Sequence, residues 1–239
     1  MTIDEKAALY DFIDKASAYA GNGYRGSKTG CDFSAPETEP AAAQDSLDQL
    51  AAEIRACRSC KLCELRKNAV PGEGVKQPLV MVIGEAPGAD EDSTGRPFVG
   101  KAGQLLDQML AAISLSRESN CFIANIIKCR PPANRDPEPD EKAACAAFLA
   151  RQVRLLNPAF ILCAGRISTQ TLLETVQPLR TLRGIFHNYQ ITAEGGSKNI
   201  PLIATYHPSA LLRENEKKRP AWEDLKLLKA EIEKLNGKN

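Results

Sequence analysis

Four short apolar runs constrain this chain more than any other feature: Leu79 to Ile83, Phe122 to Ile127, Phe160 to Ala164 and Leu202 to Tyr206. Each is nearly continuous in hydrophobic residues and too short for a helix, which is the pattern of a strand buried on both faces of a parallel sheet. Helical patterns separate the first three. One spans Ala102 to Ile113; the other follows Pro139, where Cys145, Phe148, Leu149, Val153 and Leu156 fall on one face. This alternation predicts the α/β class, as three α/β/α layers around a central, mainly parallel four-stranded sheet. Ligands of such sheets sit beyond the carboxyl ends of the strands. The peptides at those places are GEAPG (84–88), KCRPP (128–132) and HPSALLR (207–213).

The flanks are read the same way. Ser46 and Gln49 match a capping box, and Leu47, Leu50, Ala51 and Ile54 follow at helical spacing. The segment Arg183 to Gln190, with Gly195 and Gly196, predicts a hairpin before the last strand, and Trp222 to Leu235 a closing helix with Leu225, Leu228 and Ile232 inward. Before Ser46, Thr2 to Ala20 has the spacing of a short helix, but Gly21 to Gln44 is rich in Gly, Ser, Pro, Ala and Thr. Residues 1–44 are therefore expected to form a mobile leader, and 45–239 the folded domain.

The 31 basic and 30 acidic residues almost cancel, so any contact with nucleic acid has to come from a local patch. No stretch approaches the roughly 20 apolar residues of a membrane span, and the start MTIDEKAALYD lacks a signal pattern, so the expected location is cytoplasmic. Eight cysteines in a reducing compartment point to metal or thiol chemistry rather than to disulfides.

Cys57 and Cys60 form a C-x-x-C at a helix end, Cys129 follows a strand, and Cys145 lies on the buried face of a helix. Four thiolates from separate elements suit zinc or an iron-sulfur cluster, and the wide spacing of the second pair favours a cluster. Cys63 extends the run to C-x-x-C-x-x-C, which keeps its ligation in place of Cys57 open. Cys31, Cys121 and Cys163 read as plain buried thiols.

Three peptides carry a resemblance to a known family. GEAPGADEDSTGRPFVGKAGQLLD (84–107), NIIKCRPPANRDPEPDE (125–141) and HPSALLR (207–213) resemble, in order, the hallmark motifs of the iron-sulfur, or type 4, uracil-DNA glycosylases, over about Ala56 to Arg213. The resemblance implies a monomer that acts on uracil-containing DNA, single- or double-stranded. It also implies that Cys57, Cys60, Cys129 and Cys145 hold a structural [4Fe-4S] cluster.

The residue chemistry agrees with that activity. An enzyme that excises a base has to extrude it, stack it on an aromatic face and read its hydrogen-bonding edge. Phe98 supplies the face. Uracil offers an N3–H donor and an O4 acceptor, matched by the amide of Asn125, and cytosine reverses that pattern, which discriminates by factors of ~10⁴ or more. His207 is the donor for the charge that develops on O2 as the base departs. Related water-activating enzymes carry a carboxylate where this chain has Ala86, so the base is expected to leave first, with Glu85 off the scissile axis, binding water or ordering the loop.

Glu91 and Asn134 match supporting positions of the family's site. Leu211 is the expected apolar wedge into the minor groove, and Arg213, with Lys217, Lys218 and Arg219, the basic cluster for phosphates. Asp90 and Asp92 read as solvated loop charges, and His187 as structural. A cross-linking relative uses an added histidine, and none occurs between Gly88 and Asn125. The remaining rival is a non-catalytic iron-sulfur module for electron transfer or DNA-bound signalling.

Overall fold

The computed structural model describes residues 45–193 and 196–237. The expected leader, with Cys31, and Gly195 at the expected hairpin turn lie outside the described residues. Helix α1 (Leu47–Ala56) begins as expected, with Ser46 Oγ accepting from the Gln49 N–H at 3.2 Å, and it buries Leu50 and Ile54. Strands β1 (Glu73–Gly74) and β2 (Val80–Gly84) follow, then helices α2 (Ala89–Thr94) and α3 (Lys101–Ala111), strand β3 (Cys121–Asn125), helix α4 (Pro139–Leu156) and strand β4 (Phe160–Ala164). Helices α5 (Arg166–Leu172) and α6 (Leu179–Leu182), strands β5 (Phe186–Ala193) and β6 (Gly196–Thr205), and helices α7 (Pro208–Arg213) and α8 (Lys218–Asn236) complete the order.

The sheet has six strands in the order β1-β3-β2-β4-β6-β5. The four expected apolar runs form its parallel centre, β3-β2-β4-β6, and the expected hairpin adds β5 antiparallel to β6. The four-stranded expectation falls short by these edges. β1 is only two residues, Glu73 and Gly74, paired antiparallel to Ile123 and Phe122, and it carries no apolar run to betray it.

Side chains alternate across the central strands. Met81 and Ile83 point into one core with Leu50 and Ile54 of α1 and Leu149 and Val153 of α4. Val80 and Val82 point into the other, with Leu106 and Leu110 of α3 and Leu225 and Leu228 of α8. These two apolar layers define the sandwich. Truncating one fully buried leucine to alanine in either layer costs about 2–5 kcal/mol.

The chain passes from β2 to β3 on one side and then crosses back from β3 to β4 on the other side of β2, so the topology reverses at the carboxyl end of β2. Loops there diverge and leave a crevice. In register, Gly84 pairs with Asn125 at that end.

Candidate active site

A pocket of about 700 Å³ opens beyond the ends of the four parallel strands. It gathers Glu85, Ala86 and Glu91 from behind β2, Phe98, Asn125 from the end of β3, Asn134, Tyr206 and His207 from behind β6, and Arg213 of α7. Eight of the residues singled out in the sequence thus share one cavity.

Asn125 is 1% exposed, and its side-chain Oδ1 is buried without a hydrogen-bond partner. Buried polar atoms are rarely left so, because desolvation without a partner costs about 1–3 kcal/mol. Its neighbour across the sheet must be glycine. A Cβ at Gly84 would stand 2.4 Å from Asn125 Oδ1 and 2.5 Å from Phe98 Cζ, closing the space between amide and ring.

Phe98 is 5% exposed and adopts φ 52°, a left-handed conformation that costs a bulky residue on the order of 1–3 kcal/mol. Arg117 holds it there. Its guanidinium donates to the carbonyls of Pro97 and Phe98, both at 3.0 Å, and pairs with Asp107 at 2.8 Å. Glu91 secures the same loop, with Oε1 accepting from the N–H groups of Val99 and Gly100 and Oε2 from that of Gly88. Both carboxylate oxygens are therefore committed to backbone, and Glu91 acts as a brace.

His207 caps α7. Its Nδ1 accepts from the Ser209 N–H at 3.2 Å and lies 2.8 Å from Ser209 Oγ, so the ring carries its proton on Nε2. Burial lowers its pKa to about 4, helped by the nearby Arg213 and opposed by Glu91, so the imidazole is neutral near pH 7. Its ring centroid lies 5.6 Å from that of Phe98. Gly165, at φ 108°, lets the chain pass behind it, where a Cβ would approach His207 Cβ to 2.9 Å. Tyr206, just before it, is flanked by Arg183 and Lys217, each 5.4 Å from its ring centre.

The carboxyl of Glu85 forms no hydrogen bond among the described residues. Burial pushes its pKa up to about 7, Asp136 adds to the rise, and Arg166 and Lys142 oppose it. Asn134 Oδ1 accepts from Arg130 at 2.8 Å. The loop that carries it is anchored by Arg135, which grips the fully buried Glu141 at 2.6 and 2.8 Å.

Two expectations need correction. Leu211 is 2% exposed and packs inward from α7, whereas Leu212 is 50% exposed. One residue turns the side chain through about 100°, and the sequence cannot tell which of two adjacent leucines faces out. Asp92 is 4% exposed rather than solvated, and its Oδ1 accepts from the N–H groups of Lys67 and Asn68. His187 lies on β5, outside the pocket, with Nε2 2.8 Å from the Leu182 carbonyl.

A second, smaller cavity is lined by Cys57, Cys60, Cys63, Cys129 and Cys145. Burial pushes the Cys129 thiol up to about 11 against the pull of Arg66, which donates to its sulfur at 2.9 Å and to the Cys57 carbonyl at 2.8 Å. Among the described residues no three His, Cys, Asp or Glu side chains converge closely enough to hold a single metal ion. Sulfurs around one zinc, at about 2.3 Å each, lie within about 4 Å of one another. The five sulfurs around this shared cavity are soft donors, the set that a thiolate-bound zinc or iron-sulfur centre uses. Cys121 and Cys163 are buried in β3 and β4, away from it.

A family model described as the uracil DNA glycosylase superfamily matches residues 71–226. Type-4 uracil-DNA glycosylases are similar over most of their length. That of Saccharolobus solfataricus is 45% identical over 77% of this chain and 86% of its own. That of Archaeoglobus fulgidus is 42% identical over 70% and 84%, and that of Thermotoga maritima 38% over 80% and 97%. The chain belongs to the type 4 uracil-DNA glycosylase family.

Within that family's framework, sequence reasoning missed the residues that hold the site: Arg117, Arg66, Gly165 and Lys128. Lys128 had a readable signal, a charge inside the run IIKC between a strand and a cysteine. Arg117, in LSRES, had none.

Proposed function

We propose that this chain is a uracil-DNA glycosylase, a hydrolase that flips deoxyuridine out of single- or double-stranded DNA and releases uracil, leaving an abasic site for base excision repair. The observation that carries this reading is the unpartnered amide oxygen of Asn125, buried beside Phe98 and the neutral His207. An acceptor held dry and free in a pocket of stacking size matches the N3–H of uracil, while the amide N–H₂ matches O4. Cytosine presents an acceptor at N3, which leaves the buried oxygen without a donor and its own lone pair facing another.

Phe98 stacks the everted base. As the C1′–N1 bond breaks, its electron pair moves onto N1 and O2 of uracil, and His207 Nε2–H donates to O2, where the charge grows. A neutral donor suits this role, because its proton stays on the ring while the anion forms. Water then bonds to the electron-poor C1′ and loses a proton, and uracil takes one up. Ala86 cannot assist the water, so Glu85, whose carboxyl has no hydrogen-bond partner among the described residues and titrates near neutrality, takes that part. Asn134 lines the wall by which the nucleotide enters, and Arg213 meets a phosphate at the rim. Leu212, exposed beside it, replaces Leu211 as the wedge that fills the gap in the stack.

Cys57, Cys60, Cys129 and Cys145 hold a [4Fe-4S] cluster, with Cys63 on the same wall. When bound, it supplies a cross-link among α1, the segment after β3, and α4. The lining residues of the pocket, from Glu85 to Lys217, come from one chain, which supports reading the enzyme as a monomer. The reduced thiols fit the cytoplasm; no helix of the described residues is long and apolar enough to cross a membrane.

The test is an oligonucleotide with a single uracil, treated with alkali after incubation. Asn125→Ala and His207→Ala are expected to slow release by about 10² to 10³ at unchanged iron content. Intact strands from folded, iron-loaded wild type would defeat the proposal in favour of a non-catalytic iron-sulfur module.

A further inference from the structure

Between the pocket and the thiol cavity lies a buried cation that neither site has yet explained. Lys128 is 1% exposed, and its Nζ donates to the Asn125 carbonyl at 2.8 Å and to Gln152 Oε1 at 2.6 Å. Gln152, itself 2% exposed, is held in turn by the Pro71 carbonyl at 2.6 Å. Lys128 also lines the thiol cavity, together with Cys129 and Cys145. Both Nζ partners are neutral, and no carboxylate pairs with Lys128 among the described residues. A buried, unpaired ammonium is strongly disfavoured, so the charge has to be balanced from nearby. Cys129 and Cys145 share the wall of the thiol cavity with Lys128, so sulfurs that hold a cluster there place negative charge beside it.

We propose that Lys128 is a positioning residue that couples the thiol centre to base recognition: countercharged by the cluster thiolates, it pins the Asn125 carbonyl and so aims the amide above it. The inference rests on the reading of Asn125 as the uracil-reading residue. Asn125 is the last residue of β3; the chain after it is still bonded to β2 through Ile126 N–H and the Gly84 carbonyl at 3.0 Å, but the Asn125 side-chain oxygen has no partner, and the bond from Lys128 Nζ to its carbonyl is the side-chain restraint on this residue.

The experiment compares wild type, Lys128→Met, Asn125→Ala and the double variant as iron-loaded proteins. Free uracil binding is read by calorimetry, uracil release by single turnover, and cluster exposure by the rate of bleaching with an iron chelator. Lys128→Met is expected to lower uracil affinity about tenfold, as the loss of one charge-assisted bond does, and to bleach at least about tenfold faster. In the Asn125→Ala background the same substitution should change uracil affinity less than about twofold, because residues that act through one another are not additive.

A full tenfold loss in that background, or unchanged affinity and release in Lys128→Met, would overturn the inference. Should Lys128→Met not fold, Gln152→Leu removes one of the two Nζ partners and keeps the charge. It should cost roughly threefold in affinity, again only where Asn125 is present; no loss overturns the proposal equally. An Asn125→Ala enzyme that binds and releases uracil like wild type would instead defeat the reading of Asn125 itself. Dependence on Asn125 with indifference to Lys128 defeats only the coupling.

Discussion

The base pocket and the thiol cavity share the stretch Asn125 to Cys129 but are held together in opposite ways. In the pocket, protein partners set the ring of His207 and the loop that carries Phe98. Ser209 orients His207, Arg117 and Glu91 shape the loop of Phe98, and the atoms left free are those that would face a base. In the cavity, sulfurs arrive from a helix end, a turn, a loop and a second helix, and the chain's main grip on them is the single guanidinium of Arg66. Burial raises the Cys129 and Cys145 thiols, so unaided they resist becoming the thiolates a metal centre needs. Preorganisation in the pocket comes from folding, whereas order in the cavity comes from whatever the sulfurs bind.

That contrast can be broken most readily from the cavity side. Cys145→Ser is expected to lose most bound iron and to lower the melting temperature by about 10 °C or more, since metal binding energy is folding energy at such a site. Iron analysis with calorimetry checks it, and full iron with unchanged melting would mean that the chain holds the cavity by itself.

Arg117→Met should have the next largest effect. Two carbonyls lose their donor, and Phe98 is freed from its left-handed turn, so stability is expected to fall by about 2–3 kcal/mol. Uracil release should lose roughly tenfold, mostly through KM, because stacking contributes to ground-state binding. Denaturant unfolding and steady-state kinetics measure the two parts. Iron content should stay at the wild-type level, because Arg117 bonds to the pocket loop and to Asp107 of α3 and lines no part of the thiol cavity.

Glu85→Gln should give the smallest and most informative change. The Glu85 pKa rises from an ordinary 4.5 to about 7 on folding, so the folded protein binds the extra proton between those values. Stability from this group is present below about pH 4.5 and lost as pH rises towards 7. The variant should therefore melt higher than wild type at pH 8 and the same at pH 4. If Glu85 assists water, the wild-type rate should climb through about pH 7, and the variant's should stay flat and lower by several-fold. A wild-type profile without that inflection removes Glu85 from the water step.

Much of this was legible beforehand. The four central strands and the helices on either side follow from periodicity, because burial on both faces of a parallel strand demands an unbroken apolar run. The edges were less legible: β1 is two residues paired by backbone alone, and long β6 extends its apolar end into an exposed polar stretch beginning at Gly196. In the pocket, the motifs named the residues, and the fold brought Glu85, Ala86, Glu91, Phe98, Asn125, Asn134, His207 and Arg213 around one space. What they did not disclose was division of labour. Glu91 proved to be committed to three backbone N–H groups, and Asp92 to two more.

The amino-acid sequence by itself determined the layered α/β plan, the soft donor set and the residue types at the strand ends, since each is written in local spacing. Tertiary structure alone decided that His207 is neutral with its proton on Nε2, that Glu85 titrates near 7, that Leu212 rather than Leu211 faces solvent, and that Lys128 bridges the two cavities. Periodicity is a property of neighbours along the chain. Desolvation and hydrogen-bond pairing are sums over atoms that meet only after segments far apart in sequence have packed together.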